Sequence, residues 1–254
     1  MKLLRIFYLL FAVMLITTSC SHTNKQLLQA EQLVETSPDS AMAILNTYNY
    51  NSLSDKDKAL YGLVYIRIRN NKFLSLEPDS FLNFSLNYYY KRPEGDYLST
   101  TLLYIGRKYK YNLMYDKATE YYLKAFDKLK NTENYLLLAR LNLDLADIHY
   151  NQKDFGLARD KYWKSFIYFK KASLQPQAFY SLLNIGRTYH YSNECNKANR
   201  YYLRIKSYSK DSLQEGSLLQ EIGQNFYKSK KYDSAYYYFS KVLDYPYIGN
   251  NYSI

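Results

Sequence analysis

Residues 99–132 read STTLLYIGRKYKYNLMYDKATEYYLKAFDKLKNT. Leu102, Ile105 and Tyr109 stand at i, i+3 and i+7, the spacing of one apolar stripe on a helix. Gly106 and Ala118 lack bulk and let two helices approach closely, while Tyr115, Tyr122 and Phe126 fill the space beside them. A hairpin of this size cannot bury its stripe alone, so it needs neighbours of its own kind stacked against it.

Those neighbours are present in the chain. The place of Gly106 is taken again by Ala146, Gly186 and Gly223, at intervals of 40, 40 and 37 residues. The bulky residue before it is Ile105, Leu145, Ile185 and Ile222. The second helix of each copy opens with Ala118, Ala158, Ala198 or Ala235, followed four residues later by Tyr122, Tyr162, Tyr202 or Phe239. The aromatic at the turn is Tyr115, Phe155 and Tyr232, with Cys195 the one departure, which gives that lone thiol a packing role.

This pattern resembles the tetratricopeptide (TPR) repeat, which runs W-x2-L-G-x2-Y, then A-x3-F, then Pro. Leu102 stands for the Trp, Tyr122 for the Phe and Lys130 for the Pro. The resemblance implies an all-α fold, a TPR-like right-handed superhelical solenoid of about twelve antiparallel helices. The intervals exceed the family's 34 residues, which predicts helices longer by about a turn or longer connections. A repeat array specifies a surface rather than a reaction, so the resemblance implies a binding scaffold.

The chain opens with Lys2 and Arg5, an apolar run from Ile6 to Ile16, and then Thr17-Thr18-Ser19-Cys20. Residues 1–19 read as a secretory signal, and the Cys after small residues resembles a bacterial lipobox with Cys20 lipidated. The apolar run is shorter than the roughly 20 residues a spanning helix needs. Cleaved or retained as an anchor, it sends the rest of the chain out of the cytoplasm. With Ser21 after the Cys and no acid before Glu31, resemblance to lipoprotein sorting signals implies the periplasmic face of the outer membrane.

Residues 20–23 form the lipidated Cys and a short tether. Residues 24–92 read as two divergent TPR-like hairpins, with Ser37-Pro38-Asp39 and Glu77-Pro78-Asp79 as helix boundaries. Four TPR repeats fill 93–246, and 247–254 is a tail. The opening "SPDSAMAIL" and "LSDKDKALYGL" resembles TPR lipoproteins of Gram-negative bacteria, some of which continue into a membrane span and a cytoplasmic DNA-binding segment. The last helix carries Tyr236, Tyr237, Tyr238 and Phe239 with no capping helix after it. Either this edge meets a partner or a second copy, or the chain is a piece of a longer protein.

No catalytic constellation stands out. His22, His149 and His190 lack partners at zinc-ligand spacing, and no P-loop, dinucleotide glycine motif or nucleophile elbow occurs. Asp144 and Asp147, three apart on a helix, read as a solvated or Lys-paired face. The expectation is a non-enzymatic chain without metal or cofactor.

In the TPR family the first helix of each pair lines the inner groove. The resemblance places Arg107, Lys110, Tyr111, Arg140, Asp147, Tyr150, Asn151, Tyr180, Arg187, His190, Tyr191, Gln220, Gln224, Tyr227 and Lys228 there, a basic and aromatic lining with one Asp. Leu103 and Leu183 stand where the carboxylate-clamp subtype carries Lys. The formal charge is +11, with Lys and Arg spread along nearly every helix, which speaks against nucleic acid. The expected partner is a protein or peptide of acidic character, with membrane attachment through the lipid. A homodimer through the uncapped C-terminal helices is a further expectation. The alternative function is the exported sensor half of a longer membrane-spanning regulatory protein with a cytoplasmic DNA-binding or signalling segment.

Overall fold

The computed structural model describes residues 24–130, 132–209 and 211–245. The leader, Cys20 and the tail lie outside the described residues. Among the described residues there are twelve α-helices and no strand. None of these helices is long and apolar enough to cross a membrane.

The chain forms two compact units, divided between Tyr104 and Ile105. The first contains α1 (Lys25–Leu33), α2 (Pro38–Leu45), α3 (Asp55–Asn71), α4 (Asp79–Lys91) and the start of α5 (Tyr97–Tyr111). Pro38 occupies the first turn of α2, where its missing N–H has no helical partner to lose. Ser54 caps α3 by accepting from the Asp57 amide, while its hydroxyl donates to the Asp57 carboxylate. The core of this unit joins Leu27, Ala30 and Val34 to Ala41, Leu45, Leu60 and Val64.

The second unit continues through α6 (Tyr115–Lys128), α7 (Tyr135–Asn151), α8 (Phe155–Lys171), α9 (Gln175–Tyr191), α10 (Cys195–Ile205), α11 (Ser212–Lys228) and α12 (Tyr232–Val242). The residues beyond the standard repeat length went into helix. α7, α8 and α9 are each 17 residues long and are joined by three-residue turns, which returns the chain to the same register after 40 residues. α10 stops at 11 residues and passes through a 3-10 turn at Lys206–Tyr208, so the last interval is shorter.

The turns inside the hairpins repeat as faithfully as the helices. Leu113, Lys153, Asn193 and Lys230 all adopt left-handed φ, between 58° and 63°. The amide after each returns to a carbonyl five residues back, as Met114 to Tyr109 at 2.9 Å and Asp154 to His149 at 2.8 Å. This 6→1 bond closes the helix end and reverses the chain within three residues.

The signature residues set the helix spacing. A Cβ built on Gly106 would lie 2.3 Å from Tyr122 Cε1, one on Gly186 2.1 Å from Tyr202 Cε1, and one on Gly223 2.7 Å from Phe239 Cδ1. Each glycine therefore receives the face of the aromatic ring 16 residues later, and Ala118, Ala158, Ala198 and Ala235 are all buried. In the first unit the approach is looser and meets a different part of the residue: a Cβ on Gly62 would lie 3.0 Å from Phe81 Cβ.

Candidate partner-binding groove

Successive first helices of the second unit are stapled by charge. Arg107 Nε on α5 donates to Asp144 Oδ2 on α7 at 2.7 Å. Lys110 donates to the other oxygen of Asp144 and to Asp147 Oδ2 at 2.9 Å. Burial alone would raise the Asp144 pKa, but Arg107 and Lys110 more than offset it and hold the carboxyl below its usual range. Burial likewise opposes the Lys110 charge, and the two aspartates override it, so its pKa is raised. Two repeats on, Arg187 Nε donates to Glu221 Oε1 at 2.8 Å, and its Nη1 donates to Asn184 Oδ1 at 2.9 Å.

Between these staples lies a cavity of about 360 Å³. α7 supplies Asp147, Tyr150 and Asn151, α8 supplies Tyr162, α9 supplies Asn184, Arg187 and Tyr191, and α11 supplies Glu221 and Gln224. The Tyr162 hydroxyl donates to Asp147 Oδ1 at 2.9 Å. Burial first, then the Asp147 charge, pushes the Tyr162 pKa up and keeps the phenol neutral. Tyr150 and Tyr191 meet edge to face at 5.6 Å and form one wall.

His190 sits half-buried beside this wall, with Nδ1 2.9 Å from Asn225 Oδ1. The Asn225 amide nitrogen donates to the Cys195 carbonyl at 2.7 Å, which turns its oxygen toward the imidazole and makes Nδ1 the donor. Lys228 Nζ donates to the His190 carbonyl at 2.7 Å and lies over the Tyr191 ring.

Of the residues expected to line the groove, Asp147, Tyr150, Asn151, Arg187, Tyr191 and Gln224 come together in the cavity. His190 and Lys228 stand beside it, Tyr227 meets Tyr232 edge to face at 5.6 Å, and Arg107 and Lys110 are buried in the Asp144 cluster. Arg140, Tyr180 and Gln220 do not line the cavity, and Tyr111 is exposed next to Lys110.

Glu221, Asn184 and Tyr162 were not anticipated. Glu221 and Asn184 occupy the position two before the signature glycine, the same register as Asp144, and that register was the available signal. Glu221 joins the expected Asp147, and the cavity is therefore not basic. The cavity presents Asp147 and Glu221 against Arg187 alone, and Arg187 is already bonded to Glu221.

A second correction concerns the spread of charge. α7, α9 and α11 are close to neutral, whereas α8 carries five cations against Asp160, and α10 carries three with no carboxylate. Counting along the chain hides a segregation that only the helix faces expose.

No protein-family model and no curated protein sequence matches the chain. Solved structures do. The apo form of the quorum sensor NprR from B. thuringiensis superposes with a TM-score of 0.72 at 15% identity, over 96% of this chain and 70% of that one. NprR in complex with its cognate peptide NprX gives 0.66 at 15%, over 96% and 73%. A Rap protein complexed with competence and sporulation factor gives 0.62 at 15%, over 86% and 64%, so the chain spans less than two thirds of that structure. A Podosopora anserina putative kinesin light chain with nearly identical TPR-like repeats gives 0.61 at 13%, over 76% and 96%. With six successive helical hairpins and these neighbours, the fold of the chain is all-α and TPR-like.

Proposed function

We propose that the chain is a non-enzymatic interaction scaffold whose second unit binds a protein or peptide segment in the groove along α7, α9 and α11. The observation that carries this reading is the cavity of about 360 Å³, in which three first helices contribute aromatic walls and amide side chains at one place. Structural neighbours solved with a peptide or a signalling factor support it at the level of fold. Asn151, Asn184 and Gln224 offer amides to a peptide backbone, and Tyr150 and Tyr191 offer rigid apolar area at low entropic cost.

Selection of peptides from a display library against the purified chain tests this. Selected peptides are expected to lose binding to an Asn151→Ala, Tyr191→Ala, Gln224→Ala variant, all three of whose side chains reach solvent. Peptides that bind this variant as well as the parent would sink the reading.

The leader and Cys20 support export and lipid anchoring at the periplasmic face of the outer membrane. Incorporation of radiolabelled fatty acid, lost in Cys20→Ala, tests the anchor. The exposed Tyr236, Tyr237 and Leu243 of the last helical segment support a homodimer through that face, and sedimentation of Tyr236→Ser, Tyr237→Ser against the parent tests it. Identical masses for the two would remove the dimer.

A further inference from the structure

The outer face of α8 and α10 joins exposed apolar side chains to a surplus of positive charge. Both helices pack on α9, and α8 touches the two ends of α10: Arg159 Nη1 comes within 4.0 Å of Glu194, which caps α10, and Phe166 meets Tyr208 just beyond α10 edge to face at 5.8 Å. Their buried stripes, Ala158, Tyr162 and Phe166 on one and Ala198, Tyr202 and Ile205 on the other, turn inward. The opposite faces are neither polar nor neutral.

Trp163 and Leu203 occupy the same place in successive repeats, 40 residues apart, and are 48% and 53% exposed. Ile167, one turn on from Trp163, is exposed as well. Trp163 and Leu203 each have a cation next to them in sequence, Lys164 and Arg204. With five cations against one carboxylate in α8 and three against none in α10, the pair carries a balance of +7. Lys164 shares its charge with Asp160 and Lys197 with Glu194, both in exposed pairs that are worth little. Lys161, Arg200 and Arg204 have no carboxylate within reach among the described residues.

We infer that this face docks on an anionic lipid surface. Exposed Trp and aliphatic side chains, interleaved with Lys and Arg whose stems lie along apolar surface while their heads reach phosphate, suit the boundary between headgroups and acyl chains. An acidic protein segment would satisfy the cations and leave Trp163, Ile167 and Leu203 in water, so the apolar members select the membrane. The face is separate from the cavity between α7, α9 and α11, and an array lying on a membrane through its second helices keeps that cavity open to solvent.

Trp163 is the only tryptophan, so its emission reports this face and no other. The full chain is mixed with vesicles of phosphatidylcholine alone or with phosphatidylglycerol, carrying brominated acyl chains. Whatever holds the chain at the vesicle through its leader, a blue shift and quenching of Trp163 on the anionic vesicles only is the expected result. Replacing Lys164, Arg200 and Arg204 by Gln is expected to weaken the anionic response by roughly a hundredfold, about fivefold per cation, with the helical circular dichroism unchanged.

Unshifted emission on anionic vesicles overturns the inference. Equal quenching on neutral vesicles overturns its electrostatic half, and with it the inference. Saturable binding of polyglutamate that blocks the vesicle response without shifting Trp163 points to an acidic protein partner and overturns it too.

Discussion

Arg107 on α5 and Asp144 on α7 meet at 2.7 Å with both side chains buried, and Arg187 and Glu221 repeat the contact on α9 and α11. A guanidinium one place after the signature glycine reaches a carboxylate two places before the corresponding residue of the next copy. The contact therefore registers one repeat against the next.

Removing one partner strands a buried charge. Asp144→Ala leaves Arg107 and Lys110 facing each other without their shared counter-ion, at an expected cost of about 3–5 kcal/mol. The triple variant Arg107→Met, Lys110→Met, Asp144→Leu is expected to recover most of that loss, since apolar replacement of a buried cluster is often close to neutral. Urea midpoints compare the three proteins; a loss under about 1 kcal/mol for Asp144→Ala would reduce the cluster to the rank of a surface pair. For the same reason, charge reversal at Arg107 or Arg187 unfolds the site instead of probing it, and binding tests belong to Asn151, Tyr191 and Gln224.

The glycine and ring pairs make a steric prediction. A methyl on Gly186 would stand 2.1 Å from the Tyr202 ring, which is fully buried and has nowhere to swing freely. Gly186→Ala is expected to cost about 1–3 kcal/mol, and Gly186→Ala with Tyr202→Leu less than the single change, because the smaller side chain yields the space. Ala146 stands in this position of the second copy and is buried, so a hairpin of this kind can accommodate the methyl. Ala198→Leu, beside the same ring, tests the partner position and is expected to fall in the same range. Additivity of Gly186→Ala and Tyr202→Leu in thermal unfolding would remove the coupling.

The glycines, the alanines and their ring partners were legible because small and large residues recur at fixed intervals, and steric complementarity leaves its mark on residue type. The ion staples were harder to read. Asp144 and Glu221 differ in type, and the second and third copies place Asp147 opposite Asn184, so no single residue recurs at that register. The turn conformation escaped notice for a similar reason. Leu113, Lys153, Asn193 and Lys230 share a backbone state and no chemistry, so only the backbone reveals the repeat. The charge segregation onto α8 and α10 was present in the sequence but became visible only when helix boundaries sorted the cations by face.

Those turns predict gains in stability. A side chain at left-handed φ costs roughly 1–2 kcal/mol that glycine does not incur. Leu113→Gly and Lys153→Gly are each expected to stabilise the chain, by about 1 kcal/mol after the extra unfolded-state entropy of glycine is set against the relief. Asn193→Gly gains less, since Asn tolerates this region through local hydrogen bonding. Alanine at Lys153 gains nothing, because its Cβ meets the same clash. A destabilised Lys153→Gly, measured by urea midpoint, would mean that the strain is relieved elsewhere.

His190 gives the second unit a pH dependence of predictable sign. Burial is the largest influence and disfavours the imidazolium; the Asn225 bond partly opposes it, Lys228 adds to it, and Glu221 opposes it, leaving the pKa lowered from 6.5. The folded state thus holds the proton less tightly than the unfolded chain. The contribution of this residue is fully present above the unfolded value and is lost as pH falls from there through the lower folded value. His190→Gln can accept or donate toward Asn225 without titrating, so the difference in melting temperature between parent and variant isolates the residue from the carboxylates that titrate at lower pH. The parent is expected to lose stability relative to the variant over the interval that opens as pH falls below 6.5. A difference that stays flat across that interval, or that moves in favour of the parent on acidification, would place the imidazole in an environment that welcomes its charge.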